Sequence, residues 1–126
     1  MRWFKAYGLA FAGFAMLDFC WLSWAGPHVY RPALGDLLAS SFRPGPALAF
    51  YAIYLAGLVH FAVAPARGHA GAAAQGALYG ACCYATYDLT NQATLAHWPL
   101  AITLADIGWG ALASGLAAGA ARRLLG

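Results

Sequence analysis

The feature that most narrows the fold of this chain is a succession of four long apolar runs with hardly any charge inside them, parted by short breaker segments. A membrane-spanning helix takes ~20 apolar residues, so four such runs with short connections use almost all of the 126 residues as one transmembrane domain, 1–126. The first run extends from about Phe4 to Ala25 and the second from about Ala47 to Pro65, behind the breaker Pro44-Gly45-Pro46. The third starts near Gly71 and is taken to Asn91. The fourth opens at Pro99, a residue suited to a first helical turn, and runs to about Ala121 before Arg122 and Arg123. All four are continuous and rich in Ala, Leu and Gly. Strands of a lipid-embedded barrel would alternate instead, so the expected fold is an all-α membrane protein, a four-transmembrane-helix bundle.

Composition excludes the main competitors. With 63% hydrophobic and 9% charged residues and a mean hydropathy of +0.62, the chain lacks the polar surface of a soluble domain, and its first partner is the lipid bilayer. The net charge of +3 comes from scattered side chains rather than a basic run, which gives a nucleic-acid partner no support. Cys20, Cys82 and Cys83 lie inside apolar runs without Cys-x-x-Cys spacing and read as small core residues. The N-terminal run resembles a signal peptide, but its length and Asp18 favour a retained helix. His60 has no second histidine at its level, so neither a metal nor a cofactor is expected.

Charge also gives a direction. Arg2, Lys5, Arg67, Arg122 and Arg123 fall on the side of the termini, against Arg31 and Arg43 on the other, which places the N- and C-termini in the cytoplasm. The outer loop 26–46 is then the longest connection; it reads as a short interfacial helix, with a lid over the bundle as the second reading. Gly76-x-x-x-Gly80 and Gly115-x-x-x-Gly119 are small-residue faces for close packing within the bundle, or, as the alternative, between two copies in a homodimer.

The chain holds no glutamate, and three of its four aspartates, Asp18, Asp88 and Asp106, lie in or at the edges of the runs. A central Asp costs ~2.5–3.5 kcal/mol to insert, so each needs a partner, a proton or water. At a rise of ~1.5 Å per residue, Asp18 falls ~12 Å and Asp106 ~10 Å below the same outer boundary. Tyr51 and Tyr54 on the second run, with Tyr84, Tyr87 and Asp88 on the third, belong to that level too. Trp21, Trp109, Thr86, Thr103 and Asn91 add hydrogen-bonding groups. The layer reads as a site for a ligand, cation or proton; the alternative is a hydrogen-bonded plug that holds the helices in register.

The string Tyr84-Ala85-Thr86-Tyr87-Asp88-Leu89-Thr90-Asn91, followed by Trp98-Pro99 and Asp106-x-x-Trp109-Gly110, resembles a family of small bacterial membrane proteins, the domain of unknown function 2177. Leu17-Asp18-x-x-Trp21, Tyr30, Leu34-Gly35 and Phe50-Tyr51-x-x-Tyr54 extend the resemblance over nearly the whole chain. It implies a four-helix, multi-pass protein of the bacterial inner membrane and brings no activity with it. The leading functional expectation is therefore a small transporter or a ligand- or cation-binding membrane protein. The alternatives are a membrane-embedded lipid-modifying enzyme with an Asp acid or base, and a noncatalytic subunit of a membrane complex.

Overall fold

The computed structural model describes residues 2–126, all of its regular structure helical. Helix α1, Arg2–Ala25, buries Ala6, Ala10, Phe14, Asp18 and Ala25, whose spacing of four and seven residues makes one stripe along the helix. Its end is not a break. A π turn, Gly26–Tyr30, leads directly into α2, Arg31–Leu34, and a 3-10 turn, Gly35–Leu37, so one helical rod of 36 residues runs from Arg2 to Leu37. Gly35, at φ +49°, closes α2 in a conformation that side chains rarely adopt. The stretch expected as an outer loop is thus helical over its first part, and only 38–43 remain irregular.

Helix α3, Pro44–Leu58, uses Pro44-Gly45-Pro46 as its first turn rather than as a breaker ahead of it. A proline there loses no hydrogen bond, because the first N–H groups of a helix have no partner within it. A second π turn, Val59–Val63, completes this element. Helix α4, His69–Thr94, extends beyond the expected run at both ends, and α5, Leu100–Leu125, starts behind Pro99, whose extended backbone caps it.

Helix α5 is the centre of the bundle. It buries the broadest face, from Ile102 to Leu125, and packs antiparallel to α1 on one side and to α4 on the other. The α4–α5 seam is built from small residues. A Cβ on Gly80 would strike the Gly110 carbonyl and the Ser114 side chain, and one on Gly76 would lie 2.6 Å from Ala118 Cβ and 2.7 Å from the Ser114 carbonyl. Gly115 and Gly119 lie against Ala77 and Ala73. Both glycine faces are thus used inside the chain, where they let two backbones touch. The apolar core, including Ala10, Leu55, Leu58, Val59, Val63, Ala113 and Ala117, fills one half of the bundle, the half that holds the chain termini.

Outside, the rule for soluble proteins is reversed. Phe4, Met16, Phe19, Leu48, Ile53, Leu78, Leu112 and Leu116 are exposed while Asp18, Asp88, Thr103, Asp106 and Ser114 are buried. Among the described residues, three helical stretches are long and apolar enough to cross a membrane: Arg2–Leu37, Pro44–Val63 and Leu100–Leu125. Helix α4 is 26 residues long but carries Gln75, Asp88, Asn91 and Gln92, and does not reach the same apolarity.

Candidate functional site

The aspartates of α1 and α5 stand at the centre of one network. Asp18 accepts two bonds, from the Tyr51 hydroxyl of α3 and from Trp109 Nε1 of α5 at 3.1 Å. Asp106 accepts from the Tyr30 hydroxyl at its Oδ1, and Tyr30 in turn accepts from Trp21 Nε1 at 3.1 Å. The indoles of Trp21 and Trp109 stack face to face, 4.9 Å between centroids at 11°, and join the two halves. Both tryptophans follow an aspartate by three residues, on the same helix face as that aspartate.

Tyr30 reaches Asp106 because of the π turn. There the Arg31 N–H bonds to the Gly26 carbonyl, five residues back, so the turn absorbs one extra residue. Tyr30 consequently stands where the eleventh residue after Asp18 would stand on a straight helix, about three full turns on and on the same face.

The third aspartate is placed differently. Asp18 and Asp106 are each 8% exposed, whereas Asp88 on α4 is fully buried, and neither of its carboxyl oxygens has a hydrogen-bond partner. Its polar neighbours are Asp106 and Trp98, neither at hydrogen-bond geometry. Trp98 Nε1 instead donates to Thr103 Oγ1 at 3.1 Å, and that hydroxyl donates to Gln92 Oε1 at 2.8 Å. A buried carboxylate without donors is costly.

Two cavities flank Asp106 and Tyr84, which line both. One, of about 220 Å³, is an open cleft lined by Asp18, Trp21, Leu22, Tyr30, Tyr84, Asp106 and Trp109, from α1, its π turn, α4 and α5. The other, of about 600 Å³, is a wedge between the start of α3 and the middle of α4, with Pro46, Ala47, Phe50 and Tyr54 on one wall and Cys83, Tyr84 and Tyr87 on the other. Tyr84 can lie there because α5 has no side chain at Gly110, where a Cβ would sit inside its ring. Among the side chains lining either cavity there is no Lys or Arg.

Of the residues singled out in the sequence, Asp18, Asp106, Trp21, Trp109 and Tyr84 line the smaller cavity, and Tyr51 joins them through its bond to Asp18. Tyr54 lines the wedge, its hydroxyl 2.5 Å from Ser114 Oγ and its backbone carbonyl accepting from the Tyr79 hydroxyl at 2.9 Å. Thr103 belongs to the Trp98–Gln92 chain. Thr86 is not brought in: it is exposed and donates back to the Cys82 carbonyl at 2.7 Å. Tyr87 is exposed at the mouth of the wedge with its ring edge-on to Trp98, and Asn91 is half-buried. Tyr30, Trp98, Gln92 and Ser114 were not among the candidates. Gln92 lies four residues after Asp88, and Ser114 four after Gly110, so helical spacing alone points to both.

Residues 3–122 match a family model described as "Predicted membrane protein (DUF2177)". Comparison with curated proteins and with solved structures yields no match.

Proposed function

We propose, from the premise that the chain belongs to the DUF2177 family of predicted membrane proteins, that it is a four-span protein of the bacterial inner membrane that binds a polar or cationic ligand in its acidic layer. In this reading α4 is the fourth span, tolerated despite its polar residues because Asp88 is buried in the bundle and Asn91 and Gln92 are half-buried. Both termini are cytoplasmic, as the distribution of Lys and Arg favours, and the cavities open in the outer leaflet. The protein serves as a small transporter or as a ligand-binding component.

The single observation behind this reading is the order of partners among the carboxyl groups. Asp18 accepts two donors, Asp106 one and the fully buried Asp88 none. A purely structural plug would give most donors to the most buried acid, since an unmet buried group costs ~1–3 kcal/mol and more when charged. A proton supplies what is missing at Asp88, while Asp106, which lines both cavities, meets no Lys or Arg there and is left to a ligand.

The test is thermal unfolding of the purified protein in maltoside micelles with protons, sodium, potassium, choline and ethanolammonium as probes, followed by flux of the same cations into reconstituted vesicles. At least one probe should raise the melting temperature of the wild type, and Asp18→Asn and Asp106→Asn should remove the shift. Identical responses in wild type and both variants would sink the reading.

A further inference from the structure

The wedge between α3 and α4 has a chemistry of its own. Four aromatic side chains, Phe50, Tyr54, Tyr84 and Tyr87, form its walls together with Pro46, Ala47 and Cys83, and the one charged side chain lining it is Asp106. Tyr30 donates to Oδ1 of that carboxylate, and no side-chain donor among the described residues reaches its Oδ2. Asp88, fully buried and without a donor, neighbours Asp106 but does not line the wedge, so the acidic character of the wedge is that of Asp106. Away from Asp106 the wedge reaches the surface at Phe50 and Tyr87, 43% and 58% exposed.

We infer that the wedge is the binding site of a lipophilic organic cation, a quaternary ammonium or phosphonium whose charge lies against Asp106 and whose apolar groups lie between the aromatic walls. This rests on the ligand-binding reading above and names the class of ligand. The charge follows from complementarity: an anionic lipid would meet a carboxylate and no basic side chain. Aromatic faces attract a cation through their ring quadrupoles and ask for no N–H donor in return. An alkylated or arylated cation has no N–H to satisfy and brings apolar groups that match the aromatic and aliphatic walls. The volume of about 600 Å³ lies within the range of sites for ligands of that size. An occupant entering past Phe50 and Tyr87 comes from the side, between helices, where a cation dissolved in the membrane would arrive.

The experiment is equilibrium dialysis of tetraphenylphosphonium against the full-length protein in uncharged maltoside micelles, with tetraphenylborate as the probe of the same shape and opposite sign. Saturable binding of the phosphonium and not of the borate is expected. Asp106→Asn should weaken it at least tenfold, and Tyr87→Ala, at an exposed position that the fold tolerates, about threefold. Asp36→Asn, an exposed position outside both cavities, is the control and should leave affinity unchanged. Absence of saturable binding, equal binding of the borate, or full affinity in both Asp106→Asn and Tyr87→Ala overturns the inference. If phosphonium binding is absent while stabilisation by a small cation still depends on Asp18 and Asp106, the ligand class is wrong and the acidic site stands. If both are absent, both readings fall.

Discussion

Helix α4 meets α5 and α3 in opposite ways. Against α5 it packs so close that backbone touches backbone, along glycines of both helices, from Gly119 of α5 at the level of His69 and Ala73 to Gly110 of α5 beneath the ring of Tyr84. Against the first half of α3 it holds off, and the gap is walled with aromatic rings. The lesson is one of side-chain size. Small residues permit contact and exclude anything else, whereas large rings prop helices apart and leave a space that their own faces line. The seam is closed to any third group; the wedge keeps an open space between its helices.

The largest expected effect lies in the seam. Gly80→Leu has no place to put its side chain, and the variant should fail to yield folded protein, while Gly80→Ala should cost ~1–3 kcal/mol by overpacking, read from denaturation in micelles. If Gly80→Leu were as stable as the wild type, the contrast with the wedge would dissolve. Next comes Asp88→Leu, which replaces a buried acid without donors by an apolar side chain of similar size. It should raise stability by ~1–3 kcal/mol and at the same time abolish stabilisation by cations. A plain loss of stability would show that Asp88 is already satisfied within the protein. Tyr54→Phe, at the boundary between seam and wedge, removes the bond to Ser114 and should cost ~0.5–1.5 kcal/mol. Adding Ser114→Ala to it should cost little more, since both changes delete one interaction, and strict additivity would place the two groups in separate environments. The smallest effect belongs to Tyr87→Phe, whose hydroxyl is exposed: stability should stay within ~0.5 kcal/mol of the wild type, and a larger loss would make the mouth of the wedge part of the packed core.

Much of the seam could be read from the chain, because the four-residue spacing of Gly76 and Gly80, and of Gly115 and Gly119, depends only on helical geometry. The same holds for the layer that joins Asp18, Tyr51, Trp109 and Asp106, since depth and face are both counted along straight helices. What escaped the sequence depended on departures from straightness. Gly26-Pro27 looks like the end of a helix, and that hid the π turn and the role of Tyr30. Pro44-Gly45-Pro46 looks like a breaker although its missing N–H groups cost nothing in a first turn. Thr86 shares a short sequence with Tyr84 and Asp88 but points away from both cavities. A string of neighbouring polar residues in a helix divides between its faces, and only some of them can serve one site.

The π turn at Gly26–Tyr30 makes the outer part of α1 sensitive to residue number more than to residue identity. A substitution at Val29 that keeps the π turn leaves Tyr30 in phase with Asp18, because phase is then a matter of counting. Deleting any one of Pro27, His28 and Val29, or inserting a residue among them, turns Tyr30 through about 100° and carries its hydroxyl away from Asp106. Among relatives that keep the Tyr30–Asp106 bond, the interval from Asp18 to Tyr30 should therefore be constant in length even where its composition drifts.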